Sequence, residues 1–230
     1  MAWQQLFDYL PRLMEGFWVT VGITGLSVLI GLCLAVPIAL MRLSPYKILQ
    51  WPSYFFIFYF RGTPLLVQLF LIYYGSGQFR HELSEFGLWS YFREAYFCAV
   101  FTLTLNTCAY TAEIIRGAIQ SVPKGEIEAG RACGMSGSLL YRRIIFPGAL
   151  RLAWPAYGNE VIFLMQASSL VSIITLMDLT GVARRIISET FAVYEVYLLV
   201  ALLYLVITYV LAFVFKKIEN RLQRHNQLFS

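Results

Sequence analysis

Charge is scarce in this chain of 230 residues. Asp, Glu, Lys and Arg make up 13% of it, against roughly 25% in an ordinary soluble domain. That excludes a typical soluble enzyme. There are only two histidines and four cysteines, all scattered. Neither a disulfide framework nor a His-Glu-x-x-His zinc pattern is present. No polar tract points to disorder, and no compact Lys/Arg cluster points to nucleic acid. His81 and His225 fall in a loop and in the C-terminal tail, positions of solvated surface residues and not of metal ligands.

What is abundant is apolar: 59% of the residues are hydrophobic and 17% aromatic. Crossing about 30 Å of hydrocarbon takes about 20 mainly apolar residues in a helix. Five stretches meet that demand, at about 17–41, 51–74, 95–119, 150–177 and 196–216. The chain is therefore expected to be an all-α integral membrane protein of five transmembrane helices in a single domain. Residues 1–16 carry Asp8, Arg12 and Glu15, a net negative flank. The apolar run after them is too long for a cleaved signal, so it reads as a retained first span. Gly22, Gly25 and Gly31 on that span suit close helix packing.

Five spans put the termini on opposite sides, and basic residues decide which, because Lys and Arg collect on the cytoplasmic side. With the N-terminus outside, twelve of the eighteen basic residues lie inside and five outside. The expected topology is N-out, C-in. Cys33, Cys98 and Cys108 then fall within spans and Cys133 in a cytoplasmic loop, which predicts four free thiols. No internal repeat of the kind that marks many secondary carriers is visible.

Between the third and fourth spans, residues 124–147 form an amphipathic stretch punctuated by glycine. Pro123 stops the third span, and Glu126 to Ala132 favour a short helix. Gly134 to Gly137 permit a bend, and Leu139 to Ile145 supply a second helix expected to end at Pro147. Physics alone leaves open a plain interfacial connector. The spacing of Glu128, Ala129, Gly134, Ile144 and Pro147, however, resembles the EAA signature of ABC-transporter permeases: Glu-Ala-Ala, three residues, Gly, nine residues, Ile, one residue, Leu-Pro. Gly130 replaces the second Ala, which loosens the first helix slightly, and Phe146 replaces the Leu. Upstream, Arg61-Gly-Thr-Pro-Leu-Leu-Val-Gln68 and the stretch from Asn106 through Tyr110-Thr-Ala-Glu-Ile-Ile-Arg-Gly-Ala118 are similar to motifs of the polar and basic amino-acid permeases, the histidine/arginine/opine group. The resemblance covers nearly the whole chain.

That resemblance implies a type I importer permease whose cytoplasmic coupling helix, carried here by Glu128, Ala129, Gly130, Gly134, Ile144 and Pro147, docks on a separate ATPase. This chain has no Gly-x-x-x-x-Gly-Lys-Ser/Thr loop to cradle phosphates. ATP and Mg are therefore expected in the partner, with no catalysis and no cofactor here. The implied assembly holds a second permease subunit, identical or paralogous, two ATP-binding subunits and an external solute-binding protein, in a bacterial cytoplasmic (inner) membrane. The substrate it implies is a polar, in particular basic, amino acid.

Ionisable residues inside a bilayer cost roughly 3 kcal/mol or more and mark function by default. Arg61 and Glu160 are expected at matching depth near the midplane, while Glu113 has an i,i+3 ion-pair partner in Arg116. At Gly62-Thr63-Pro64 the second span should break, with Thr63 capping a new half-helix that starts at Pro64. The positive end of such a half-helix can grip an anionic group. Arg61 and Thr63 are then candidates for a substrate carboxylate and Glu160 for a cationic side chain, with Asn159, Gln166 and Ser168 adding neutral hydrogen bonds. Arg61 and Glu160 could instead pair with each other or across a dimer interface. Tyr73, Tyr74 and Tyr110 read as interfacial anchors and packing. Two other functions stay open at this point: an ion-coupled secondary carrier and a non-transporting membrane scaffold.

Overall fold

The computed structural model describes residues 2–223, with side-chain surroundings from residue 8 onward. His225, named above, and Arg224, one of the twelve basic residues placed inside, lie outside the described residues. The chain is helical throughout this range. In order, α1 spans Ala2–Leu43, α2 Lys47–Gly62 and α3 Leu65–Tyr73, followed by a 3-10 turn at Gly75–Phe79 and the short α4 (Arg80–Glu85) and α5 (Trp89–Phe92). Then come α6 (Ala95–Gln120), α7 (Lys124–Ala132), α8 (Gly137–Leu140), a π-helical turn at Tyr141–Ile145 and α9 (Phe146–Ala167). A 3-10 segment at Ser168–Ile174 leads to α10 (Leu179–Thr190) and α11 (Val193–Gln223).

Three helices, α1, α6 and α11, are long and apolar enough to cross a membrane. Counting each of two bent pairs as one span brings the number up to five: α2 with the stretch from α3 to α4, bent by 105°, and the segment Gly137–Ile174 with α10, bent by 49°. The innermost helix is α6, packed against α1, α2, α3 and α9. Its apolar contacts include Leu103 with Ile23, Leu69 and Leu164 on one side, and Cys108 and Ala112 with Ala35, Ala39 and Ile57 on the other. Exposed Leu205, Tyr209 and Phe213 give α11 an apolar outer face, which suits lipid. All four cysteines are free, Cys98 and Cys108 buried, Cys33 and Cys133 exposed.

Several boundaries differ from the sequence expectation, for physical reasons. Helix α1 begins well before residue 17 because the turns from Arg12 to Thr20 dock on α10, a helix not among the expected elements. Leu13 packs with Leu179, Ala183 and Ile186, and Arg12 pairs with Glu189 at 2.8 Å. Asp178, fully buried, opens α10 by accepting from the backbone amides of Thr180 (3.3 Å) and Gly181 (2.9 Å), a side-chain N-cap. The Thr20 hydroxyl accepts from the Leu179 amide at 3.0 Å and donates to the Gly16 carbonyl at 3.1 Å. Gly16 is required by the same contact, since a Cβ there would lie 2.7 Å from the Asp178 carbonyl oxygen. Gly31 fits closely too, its Cβ position lying 2.5 Å from Thr107 Cγ2. Gly22 and Gly25 differ from expectation: a Cβ on either meets nothing within 4 Å of this chain.

Pro147 is a second correction. It does not end the second coupling helix. The helix runs from α8 through the π turn directly into α9, with Pro147 just past the π turn, where the regular i→i−4 ladder is already interrupted and a missing amide is accommodated.

Candidate functional site

The site is built around the break between α2 and α3. In an unbroken helix the amide of residue 64 would donate to the carbonyl of Phe60. Pro64 has no amide, so that acceptor is orphaned inside the bundle. Gln68, one turn further on and 1% exposed, turns back to repair it: its Nε2 donates to Phe60 O at 2.8 Å and to Thr63 O at 3.0 Å and Oγ1 at 2.8 Å. Buried Asn106 on α6 completes the bracket, donating to Gln68 Oε1 at 3.0 Å and to Phe60 O at 3.5 Å. The expected Thr63 cap is not formed. The Thr63 hydroxyl instead donates backwards to Tyr59 O at 2.8 Å, and α3 has no side-chain cap.

The break presents Arg61, Thr63, Pro64 and the first residue of α3, Leu65, to a cavity of about 590 Å³. Asn106 and Tyr110 of α6 and Glu160 and Phe163 of α9 complete its walls. That volume falls within the roughly 300–1,000 Å³ typical of small-molecule sites. The Arg61 guanidinium lies 5.3 Å from the centre of the Tyr110 ring, a cation–π arrangement. Among the described residues no ion pair joins Arg61 to Glu160. The cavity thus holds one guanidinium and one carboxylate on opposing helices, next to the positive end of α3.

Of the residues singled out in the sequence, Arg61, Thr63 and Glu160 come together here, whereas Asn159, Gln166 and Ser168 do not. Glu160, Phe163, Leu164 and Ala167 form the cavity-facing stripe of α9, the i, i+3, i+4, i+7 face of a helix. Asn159 and Gln166 lie off that stripe and are exposed. Ser168 is buried behind it, its hydroxyl donating to Met165 O at 2.7 Å. Sequence reasoning missed Gln68 and Asn106 as the bracket, and assigned Tyr110 to packing although it lines the cavity. A proline in mid-span with a glutamine four residues on was the available signal. Glu113 and Arg116 are joined by a bidentate ion pair near the end of α6.

Between α6 and α9, where a coupling segment was expected, α7 ends in a closed turn. Gly134 has φ of +79°. Its amide donates to Arg131 O at 2.9 Å, and the Met135 amide reaches Gly130 O at 3.0 Å, the paired bonds of a Schellman motif with glycine in the left-handed position. Gly130 is buried where a Cβ would meet Ile144 Cδ1 at 2.4 Å and Leu140 Cδ1 at 2.8 Å. Its small size lets those side chains press onto α7, so Gly130 closes the packing here where loosening was expected. Ala129, Gly130, Met135, Ile144 and Pro147 line a groove of about 380 Å³, with Glu128 exposed outside it. No group of three or more potential metal ligands exists among the described residues.

Comparisons with known proteins agree with this geometry. Residues 27–224 match the family model described as the inner membrane component of binding-protein-dependent transport systems. The chain is 52% identical over 209 residues to the nopaline transport system permease protein of Agrobacterium fabrum, covering 91% of this chain and 87% of the relative. It is 46% identical over 213 residues to the histidine/lysine/arginine/ornithine transport system permease protein of Escherichia coli K12, covering 91% and 88%. A crystal structure of an amino acid ABC transporter with histidines contains a chain that superposes with a TM-score of 0.83 at 37% identity, covering 95% of this chain and 97% of the other. With its broken second span, its Schellman-capped α7 and these relatives, the chain belongs to the family of inner membrane components of binding-protein-dependent transport systems.

Proposed function

We propose that the chain is the membrane-spanning permease of an ATP-driven importer of basic amino acids, and that the cavity between Arg61 and Glu160 holds the substrate in transit. One observation carries this: a guanidinium and a carboxylate face the same cavity without pairing. Unpaired charges of opposite sign at membrane depth suit a zwitterion with a cationic side chain. Its carboxylate meets Arg61 and the positive end of α3, and its cationic end meets Glu160, with Tyr110 and Phe163 packing the stem. Asn159, Gln166 and Ser168 are left out, since they lie off the cavity-facing stripe.

The chain acts as one transmembrane unit and does no covalent chemistry. Its partners in this reading are a second permease, identical or paralogous, an external solute-binding protein, and two ATPase subunits that hold ATP and Mg and grip the groove between α7 and the π turn. Closure of the ATPases favours one arrangement of the spans over the other, and the substrate's differential affinity for the two arrangements makes transport directional. The test is uptake of radiolabelled L-arginine into proteoliposomes containing the full assembly. Uptake that needs both ATP and the binding protein supports the proposal. Uptake by this chain without ATPase subunits would favour an ion-coupled carrier, and no uptake in any combination a non-transporting scaffold.

A further inference from the structure

Arg61 borders two cavities. One is the space shared with Glu160. On its other side lies a second, of about 290 Å³, lined by Arg42, Tyr54, Phe58, Arg61, Gly62 and Glu113. Arg42 closes α1, and the positive-inside orientation puts that end on the cytoplasmic side. The second cavity therefore lies between the first and the cytoplasm.

Its charge is unbalanced. Glu113 is the one carboxylate, and its single charge is already engaged in a bidentate pair with Arg116. Arg42 and Arg61 are left as two guanidiniums facing one small space. The Arg42 guanidinium stacks over Tyr54 at 4.8 Å, while its Nε is buried without a hydrogen-bond acceptor. A buried charged donor with no acceptor is unfavourable unless something fills it for part of the cycle. A carboxylate matches a guanidinium fork better than any other small acceptor.

Building on the first-cavity reading, we infer that the second cavity is a carboxylate subsite on the exit path. Arg61 hands the substrate's carboxylate to Arg42, and the amino acid leaves through a station distinct from the one that first holds it. The two guanidiniums share the anion during transfer, so it is never stranded in the bilayer interior. The Tyr54 ring holds the Arg42 fork in place.

Thiol protection tests this in the reconstituted complex, depleted of reactive cysteines by Cys33→Ser, Cys133→Ser and matching changes in the partners. Phe163→Cys reports on the first cavity and Phe58→Cys on the second; both phenylalanines are exposed, and each cysteine variant's own half-protection concentration for L-arginine is the reference for the changes added to it. L-Arginine supplied on the cytoplasmic side should slow methanethiosulfonate labelling at both. Adding Arg42→Gln should raise the concentration for half-protection at Phe58→Cys about tenfold, the loss of one charge-assisted contact, and leave Phe163→Cys unchanged. Arg42→Lys should retain most of the protection. Protection at Phe58→Cys that is absent, indifferent to Arg42→Gln, or dependent on phosphatidylglycerol content in place of L-arginine overturns the subsite while the first-cavity reading stands. No protection at Phe163→Cys removes the first-cavity reading, and the exit path with it.

Discussion

The side-chain amide of Gln68 stands 2.8 Å from the carbonyl oxygen of Phe60, the acceptor that Pro64 leaves without a helical donor. A proline in mid-span would normally leave a costly vacancy in the backbone ladder. Here the side chain one turn onward fills it and Asn106 locks it, so the break becomes a fixed feature that sets where Arg61 and α3 face.

Replacing Gln68 with Leu should therefore do more than remove a polar group. It leaves the Phe60 carbonyl only the long Asn106 contact at 3.5 Å and takes the Gln68 donor from the Thr63 carbonyl, at about 1–3 kcal/mol for each buried group left unsatisfied. Thermal unfolding of the detergent-purified complex should shift down, and KM for uptake should rise as Arg61 loses its fixed placement. An unchanged melting profile together with an unchanged KM would show that the bracket is dispensable.

Gly134 occupies the left-handed C′ position of α7, and a Cβ there meets nothing within 4 Å of this chain. The constraint is backbone handedness, not space. Gly134→Leu should strain the turn by about 1–2 kcal/mol and tilt the coupling segment against its ATPase. ATP should then be hydrolysed with less substrate moved per ATP in liposomes. Gly134→Asn, with a side chain that tolerates this conformation, should stay close to wild type. Equal coupling ratios for the Leu variant and wild type would refute this role.

Gly16 and Gly22 lie on the same helix and make a paired test of the α1–α10 contact. Gly16→Ala forces a Cβ to 2.7 Å from the Asp178 backbone oxygen, whereas Gly22→Ala meets nothing. Overpacking of this kind costs typically about 1–3 kcal/mol. Gly16→Ala should lower the unfolding temperature of the complex and Gly22→Ala should leave it within error. Equal behaviour of the two variants would mean that α10 moves aside freely.

Much of this architecture is legible in the sequence because lipid imposes simple rules. Apolar runs of sufficient length mark the spans, and Gly62-Thr63-Pro64 marks the break, since a glycine two residues before a proline weakens the helix at the point where the amide is lost. The matching height of Arg61 and Glu160 follows from depth alone. What depth does not give is azimuth. Asn159 and Gln166 sit at suitable heights on α9 but point away from the cavity, and only packing against α6 fixes that rotation. Helix α10 escaped notice because it is too polar to resemble a span, although Asp178 ahead of Leu-Thr-Gly is a plain N-cap signal. Gln68 escaped because its task exists only once Pro64 is known to lie in a helical ladder.

The most direct measurement is the selectivity of uptake between L-arginine and L-citrulline, which have nearly the same shape but differ in charge at the far end of the side chain. The readout is the ratio of KM values in proteoliposomes with the full assembly, for wild type and for Glu160→Gln. With Glu160 meeting the cationic end, wild type should prefer arginine, and the substitution should collapse the ratio by about tenfold or more, as expected for one charge-assisted contact in a desolvated site. An arginine preference left intact in a properly assembled Glu160→Gln complex would contradict direct contact between that carboxylate and the substrate.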